Sequence, residues 1–258
     1  MSTLLDPVVE FLLSSGYFRK LMRYHFFQEY RARAAARRLR LVERVFRVKY
    51  SRTGFFPPGV FQNDYGERRD FLPKEDDVVI DVGANIGDWS IIVGSYYKAR
   101  VIAVEPSKEP FGVLSKNIRL NKLQKRVTPV NCALSDRHAE LTMNIERDSG
   151  FAHSKKGSLE STVKVPARTL DALVKKYNLA KIDLVKIDAE GFENRILKGA
   201  SHTISRLRPR IIVEVHSEQL RKKVLKSMIR KGYLLVHEKM VLYEPHQSLL
   251  SILYLASA

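Results

Sequence analysis

The stretch from Val78 to Ser90, "VVIDVGANIGDWS", passes from β-branched residues into small and polar ones. A run such as Val78-Val79-Ile80 is typical of a strand that is covered on both faces, as in a parallel sheet flanked by helices. Gly83 and Gly87 remove Cβ atoms where this strand ends, and a helical segment follows. The stretch therefore predicts a strand, a turn that some other group approaches closely, and a helix whose first N–H groups point back at the turn.

Strands and helices continue to alternate after this stretch, which predicts an α/β fold with a doubly wound, mostly parallel sheet. Two shorter segments with alternating apolar residues, 141–145 and 163–167, predict a hairpin-like insertion, whose connection either covers a site or is simply mobile. Six further segments are predicted strands: "RVIAVEP" (100–106), "VTPVNCAL" (127–134), "KIDLVKIDAEG" (181–191), "RIIVEVH" (210–216), "YLLVHEK" (233–239) and "SLLSILYLA" (248–256).

The chain has 258 residues, enough for one large domain with an appendage, and we divide it into an N-terminal arm (1–59) and a main domain (60–258). Cys132 is the single cysteine, which excludes an intramolecular disulfide and a cysteine-based zinc cluster. The first residues carry Asp6 and Glu10 where a secretion signal would be basic, and their apolar runs are too short to span a membrane. We expect a cytoplasmic protein.

The charge of the chain is strongly basic, at +17, and it is concentrated in two segments. Residues 1–50 hold eleven basic and four acidic residues, and 206–239 hold ten and three, so that each segment carries +7. Within the arm, arginines alternate with apolar residues at helical spacing, which predicts a basic amphipathic helix. Three interpretations stay open: a peripheral contact with an anionic membrane, a contact with RNA, or a helix packed on the main domain with its arginines in solvent.

Polar residues at the ends of the first two strands predict a cofactor site. Asp81, Gly83, Asn85 and Gly87 lie at the carboxyl end of the first strand, where parallel sheets of this kind bind their ligands. Glu105 ends the next strand about 20 residues later, where a carboxylate can accept hydrogen bonds from ribose hydroxyls. Since an asparagine replaces the middle glycine of a dinucleotide motif, the pattern favours a nucleoside bearing a methylsulfonium group over NAD.

The ends of the fourth and fifth strands carry the candidate catalytic residues. Asp188 and Glu190 follow the fourth strand, and Glu214 and His216 end the fifth. The candidates for removing a proton from a hydroxyl are His216, whose unperturbed pKa is about 6.5, and the carboxylates of Asp188 and Glu190. A divalent cation held by the acids is an open alternative. In the structural alternative Glu190 caps the following helix and Lys186 only neutralises an acid.

Five segments, in this order and spacing, resemble the FkbM-type S-adenosylmethionine-dependent methyltransferases, and the resemblance covers roughly residues 60–216. It implies a Rossmann-like sheet of seven strands with an antiparallel last strand. It also implies that Asp81, Gly83 and Gly87 line the cofactor site, that Glu105 holds the ribose, and that the backbone at Cys132 and Ala133 borders the adenine, with Asp136 near its amino group. The segments are "DVGANIGDWS" (81–90), "VIAVEPSKEPFGVLSKNIRLN" (101–121), "CALSD" (132–136), "KIDAEGFENRILKGA" (186–200) and "RIIVEVH" (210–216).

The resemblance implies an S-adenosylmethionine-dependent methyltransferase, and we expect O-methylation of a sugar, a lipid-linked compound or another small metabolite. An RNA methyltransferase is the main alternative, because the basic charge suits phosphates. The "DAEG" after the fourth strand argues against it, since amine methylation of bases commonly uses Asn or Asp followed by two prolines and an aromatic residue. A membrane-surface module without catalytic activity is the third interpretation, and the basic arm is its motivation.

Overall fold

The computed structural model describes residues 49, 68–145, 161–243 and 248–258, which contain ten strands, six α-helices and a short 3-10 helix (Arg69–Phe71). The strands are β1 (Val78–Val82), β2 (Arg100–Val104), β3 (Val127–Val130), β4 (Ala133–Leu134), β5 (Ala139–Ile145), β6 (Ser161–Arg168), β7 (Leu184–Ile187), β8 (Arg210–Val215), β9 (Tyr233–Tyr243) and β10 (Ser248–Ser257). The helices are α1 (Asp88–Ser95), α2 (Lys108–Leu120), α3 (Leu170–Lys176), α4 (Glu193–Lys198), α5 (Ser201–Leu207) and α6 (Glu218–Ile229).

Seven strands form the main sheet in the order β3-β2-β1-β7-β8-β10-β9. Neighbours from β3 to β8 pair in parallel, whereas β10 runs antiparallel to both β8 and β9. The predicted doubly wound, mostly parallel sheet with an antiparallel last strand is therefore confirmed. The strand order reverses between β1 and β7, so the carboxyl ends of these two strands border the crevice in which such sheets bind ligands.

Helices cover both faces of this sheet, as the β-branched strands require. In β1, Val79 packs on the side of α1 and α2 with Ile91 and Leu114, and Ile80 packs on the other side with α3 to α6. Strand residues alternate between the two faces. Asp81 therefore shares the α1 and α2 side with Val79, and it is fully buried there.

The predicted third strand is wrong in its extent. Residues 127–130 join the main sheet, but Ala133 and Leu134 belong to a second sheet of three strands, ordered β4-β6-β5. The chain leaves the main sheet at Asn131, whose side-chain amide donates hydrogen bonds to the backbone carbonyls of Glu105 (2.9 Å) and Pro106 (3.0 Å). The predicted insertion is confirmed as the antiparallel pair of β5 and β6.

Two features around α4 were not predicted. A glycine such as Gly199 typically ends a helix, but a second helix, α5, begins two residues later. The side chain that closes the turn before α4 is that of Glu193, not Glu190, because Glu193 Oε1 accepts hydrogen bonds from the N–H groups of Ala189 (3.1 Å) and Gly191 (3.0 Å). Glu193 therefore makes the contacts that the capping alternative gave to Glu190, whose side chain is 82% exposed.

The predicted arm (1–59) lies outside the described residues except for Lys49. The backbone N–H of Lys49 donates to Asn121 Oδ1 (2.7 Å), and its carbonyl accepts from Asn121 Nδ2 (2.5 Å), so this point of the chain is fixed at the end of α2. The connection 146–160 of the insertion also lies outside the described residues. None of the helices in the described part is long and apolar enough to cross a lipid bilayer.

Candidate active site

The turn between β1 and α1 has the left-handed backbone that its glycines predict. Gly83, Asn85 and Gly87 have φ values of 75°, 51° and 85°. A Cβ atom on Gly83 would lie 1.7 Å from the backbone oxygen of Asp188, and one on Gly87 would lie 2.4 Å from Leu114 Cδ1. The close approach predicted at these glycines therefore exists, but protein atoms make it. Gly83 lets the turn pack against the end of β7, and Gly87 lets it pack against α2.

Glu105 and Asn85 hold this turn at the end of β2. Glu105 Oε2 accepts a hydrogen bond from the N–H of Asn85 (2.9 Å), and Oε1 accepts from the N–H of Ser107 (2.8 Å). Burial raises the pKa of Glu105, and these N–H donors oppose the shift. Asn85 Oδ1 is buried and has no hydrogen-bond partner among the described residues. An unsatisfied buried oxygen beside Glu105 fits a ligand that brings donors, such as the hydroxyl and amino groups of S-adenosylmethionine.

Lys186 links the turn to the end of β7. Its Nζ lies 3.3 Å from Asp81 Oδ1 and 3.4 Å from Asp188 Oδ2, and it donates a hydrogen bond to the carbonyl of Gly83 (3.2 Å). Its side chain is 4% exposed. Burial alone would lower the pKa of Lys186, but the carboxylates of Asp81 and Asp188 raise it above its ordinary value. Lys186 therefore neutralises two acids, where the sequence analysis considered one.

Asp81 is held inside this network rather than at an open rim. Its Oδ2 accepts a hydrogen bond from Ser90 Oγ (2.5 Å), and its Oδ1 faces Lys186. Asp88, the first residue of α1, belongs to the same charged group, and sequence reasoning missed it. Burial raises the pKa of Asp88 to about 6, against the attraction of Lys186. An acid directly after the second glycine of the turn was the available signal.

Four polar side chains meet at the ends of β7 and β8, and we call Asp188, Glu190, Glu214 and His216 the carboxylate corner. His216 Nε2 lies 3.8 Å from Asp188 Oδ1, 3.6 Å from Glu190 Oε2 and 3.7 Å from Glu214 Oε1. The sequence predicted that these residues share a rim, and the structure brings all four together.

The surroundings of His216 change its expected protonation. The interaction with Asp188 raises the pKa of His216 to about 9; burial opposes the shift, and Glu190 and Glu214 add to it. Since all three distances exceed hydrogen-bond length, the effect is one of opposite charges. The sequence argument for a general base used the unperturbed pKa, which the acidic neighbours of His216 raise in the folded chain.

The residues predicted near the adenine lie around β4. Cys132 and Ala133 are buried, and burial raises the pKa of the Cys132 thiol. Asp136 Oδ1 accepts hydrogen bonds from Arg195 Nε (3.1 Å) and Nη2 (2.9 Å), which lowers the pKa of Asp136. Contacts of Ala133 and Asp136 with an adenine stay predictions.

Comparisons with known proteins agree with this architecture. Residues 81–235 match the family described as the methyltransferase FkbM domain. The chain is 31% identical over 144 residues to the hexuronic acid methyltransferase AglP of Haloferax volcanii, which covers 56% of this chain and 58% of that protein. It is 28% identical over 168 residues to the methyltransferase sdnD of Sordaria araneosa, and this match covers 53% of this chain and 65% of that protein. The match thus spans less than two thirds of either relative.

A solved structure shares the fold. The crystal structure of methyltransferase FkbM from Methylobacillus flagellatus superimposes with a TM-score of 0.50 at 18% identity, over 75% of this chain and 49% of that one. At this level of identity the likeness concerns the architecture of the sheet and its helices, not the reaction.

Proposed function

The chain belongs to the methyltransferase FkbM family, and from this premise we propose that it transfers a methyl group from S-adenosylmethionine to a hydroxyl oxygen of a sugar or of another small or lipid-linked acceptor. Membership in the family implies S-adenosylmethionine as the cofactor. The acceptor class is our inference. It is supported by the name of the Haloferax volcanii relative, a hexuronic acid methyltransferase.

The observation that carries the proposal is the contact between the carboxylate corner and the turn between β1 and α1 (83–87), which we call the cofactor turn. The backbone oxygen of Asp188 lies 1.7 Å from the position of a Cβ atom on Gly83. Lys186 contacts both segments, through the carbonyl of Gly83 and the carboxylate of Asp188. A cofactor on the turn is therefore next to the corner that would receive the acceptor. Such alignment is the main requirement of a displacement at carbon, where the two reactants must meet in line.

We assign cofactor binding to the turn and its neighbours. Asn85 Oδ1 and the carboxylate of Glu105 accept hydrogen bonds from the cofactor, while Asp81, Gly83 and Gly87 fix the shape of the turn. Ala133 and Asp136 border the adenine. When bound, S-adenosylmethionine supplies a methyl group on a positively charged sulfur, and the carbon–sulfur electron pair stays on that sulfur as the bond breaks.

We assign the acceptor to the carboxylate corner. The carboxylates of Asp188 and Glu190 take the proton of the acceptor hydroxyl, and His216 orients that hydroxyl, because an alcohol is a weak nucleophile until its proton leaves. Three carboxylates within 4 Å of one imidazole give this corner a surplus of negative charge, which favours the loss of a proton to the protein.

The acceptor class is tested with methyl-labelled cofactor and fractionated cell extract. The full chain is incubated with RNA, lipid, glycan and small-molecule fractions, and label is counted in each fraction before and after nuclease or glycosidase treatment. We expect label in glycan or lipid-linked sugar that glycosidase releases. Label that only ribonuclease releases would make the protein an RNA methyltransferase and overturn the acceptor assignment.

Two variants serve as controls for this assay. Glu140→Gln changes an exposed carboxylate on β5, paired only with Lys164 among the described ion pairs, and should transfer label at the rate of the unmodified chain. His216→Asn should slow the transfer while sparing cofactor affinity. An unimpaired rate in the His216 variant would remove His216 from the acceptor site.

A further inference from the structure

Three side chains of the carboxylate corner have the composition and spacing of a metal site. Asp188, Glu214 and His216 each place one potential ligand atom within 4.8 Å of the other two. They come from the ends of two adjacent strands of the main sheet, β7 and β8. We propose that Asp188 Oδ1, Glu214 Oε1 and His216 Nε2 bind a divalent cation of the manganese class.

The distances leave room for an ion. His216 Nε2 is 3.8 Å from Asp188 Oδ1 and 3.7 Å from Glu214 Oε1, too far for hydrogen bonds. Nε2 is buried and has no hydrogen-bond partner among the described residues, and an ion that binds there replaces a proton on this nitrogen. Octahedral bonds of about 2.1 Å place neighbouring ligand atoms about 3.0 Å apart and opposite ones about 4.2 Å apart. Side-chain shifts of under about 1 Å therefore bring the three atoms to ligand spacing.

The neighbours of the three ligands already orient them. Lys186 contacts Asp188 through Oδ2, so that Oδ1 of the same carboxylate faces His216. Lys186 itself is fixed by Asp81 and by the carbonyl of Gly83. The Glu214 side chain is 14% exposed and belongs to a paired strand. Partners that hold ligand side chains in place usually accompany a metal site.

The ligand types select the class of ion. Two carboxylate oxygens suit magnesium, calcium and manganese, and one imidazole nitrogen favours a transition metal. A mixed set of this kind suits Mn²⁺ better than Ca²⁺. Glu190, whose Oε2 lies 3.6 Å from His216 Nε2, adds negative charge beside the site and is exposed enough to move.

The use of the ion rests on the proposed function. A cation at the corner would bind the acceptor oxygen beside the cofactor turn and lower the pKa of the acceptor hydroxyl, as bound metals do for water. It would also bind a carboxylate of the acceptor, which connects the site to acidic sugars. The metal site itself can be tested without the reaction.

The experiment measures Mn²⁺ binding to the purified full chain by electron paramagnetic resonance. Free Mn²⁺ gives a strong signal that falls as it binds, and we expect one ion per chain with affinity in the micromolar range. Spin-echo modulation of the bound ion should show coupling to one imidazole nitrogen. His216→Gln should abolish that coupling, and Glu214→Gln should weaken binding at least tenfold. Glu140→Gln, the control at an exposed carboxylate, should bind as the unmodified chain does.

Binding that is absent at millimolar Mn²⁺, or that persists with unchanged nitrogen coupling in His216→Gln, overturns the proposal. Circular dichroism of each variant establishes that it is folded; if His216→Gln does not fold, the isosteric Glu214→Gln decides by its affinity. S-adenosylmethionine binding is measured in the same samples by equilibrium dialysis. A chain that binds Mn²⁺ but not the cofactor keeps the metal site and loses the proposed function, and the reverse result loses the metal site alone.

Discussion

Replacing Gly83 by alanine tests how the cofactor turn is built, and two other glycines separate the causes. Gly112 lies in α2 with nothing within 4 Å of an added Cβ, Gly191 has open space but a φ of +102°, and Gly83 has both a φ of +75° and a Cβ position 1.7 Å from Asp188 O. Gly112→Ala therefore adds only a methyl group, Gly191→Ala adds backbone strain, and Gly83→Ala adds both backbone strain and a steric clash.

The structure gives each variant a magnitude. Gly112→Ala should stabilise the protein by about 0.5 to 1 kcal/mol, because alanine favours a helix interior over glycine. Gly191→Ala should cost about 1 to 2 kcal/mol for the left-handed backbone. Gly83→Ala adds the displacement of a backbone carbonyl, and overpacking costs typically 1 to 3 kcal/mol, so the total should be roughly 2 to 5 kcal/mol.

Urea unfolding provides the assay. Trp89, the single tryptophan, lies in the first turn of α1 next to the turn, so its fluorescence and the far-ultraviolet circular dichroism report local and global unfolding. Cofactor affinity should also fall in Gly83→Ala, because the added Cβ pushes the turn away from Asp188 and shifts the Gly83 carbonyl that Lys186 holds. Equal unfolding free energies for Gly83→Ala and Gly191→Ala would refute the contact with Asp188 as the reason for glycine.

Three further predictions concern the charged groups. Glu105→Gln should weaken S-adenosylmethionine binding by about 1 to 3 kcal/mol in calorimetry through lost charge-assisted hydrogen bonds, and unchanged affinity would remove Glu105 from the ribose. Lys186→Met leaves Asp81 and Asp188 without their cation and should cost about 3 to 5 kcal/mol in urea unfolding, whereas a cost below 1 kcal/mol would contradict a charged buried Lys186. The pKa of Asp88 is about 6 in the folded chain and 3.8 in the unfolded chain, so the ionisation of Asp88 lowers the free energy of unfolding as the pH rises between these values. Asp88→Asn has no such ionisation. Its free energy of unfolding, measured in urea, should therefore rise by roughly 2 to 3 kcal/mol relative to that of the unmodified chain between pH 4 and pH 7. A constant difference across that range would contradict the raised pKa.

The sheet was predictable because its signals are local. Runs such as Val78-Val79-Ile80 need two covered faces, and each is followed by a helical segment of ordinary length. The end of β3 was not predictable, because the chain turns where Asn131 donates hydrogen bonds to the carbonyls of Glu105 and Pro106, which follow β2 and are distant in sequence. In the same way, α5 was not predicted, because its N-cap residue, Ala200, has no side chain that can cap a helix.

The residues of the site were predictable in position, and their environments were not. The ends of β1, β2, β7 and β8 are recognisable in the sequence, so Asp81, Glu105, Asp188 and His216 could be placed at one edge. The burial of Asp81 and the three carboxylates around His216 depend on strand order and side-chain direction. For this reason the location of His216 was predictable from the sequence, and the rise in its pKa was not.

Equilibrium dialysis of the purified full chain against labelled S-adenosylmethionine tests the central claim most directly. The account predicts saturable binding of one cofactor per chain, displaced by S-adenosylhomocysteine and weakened in Glu105→Gln. A folded chain that retains no cofactor at millimolar concentration would contradict it.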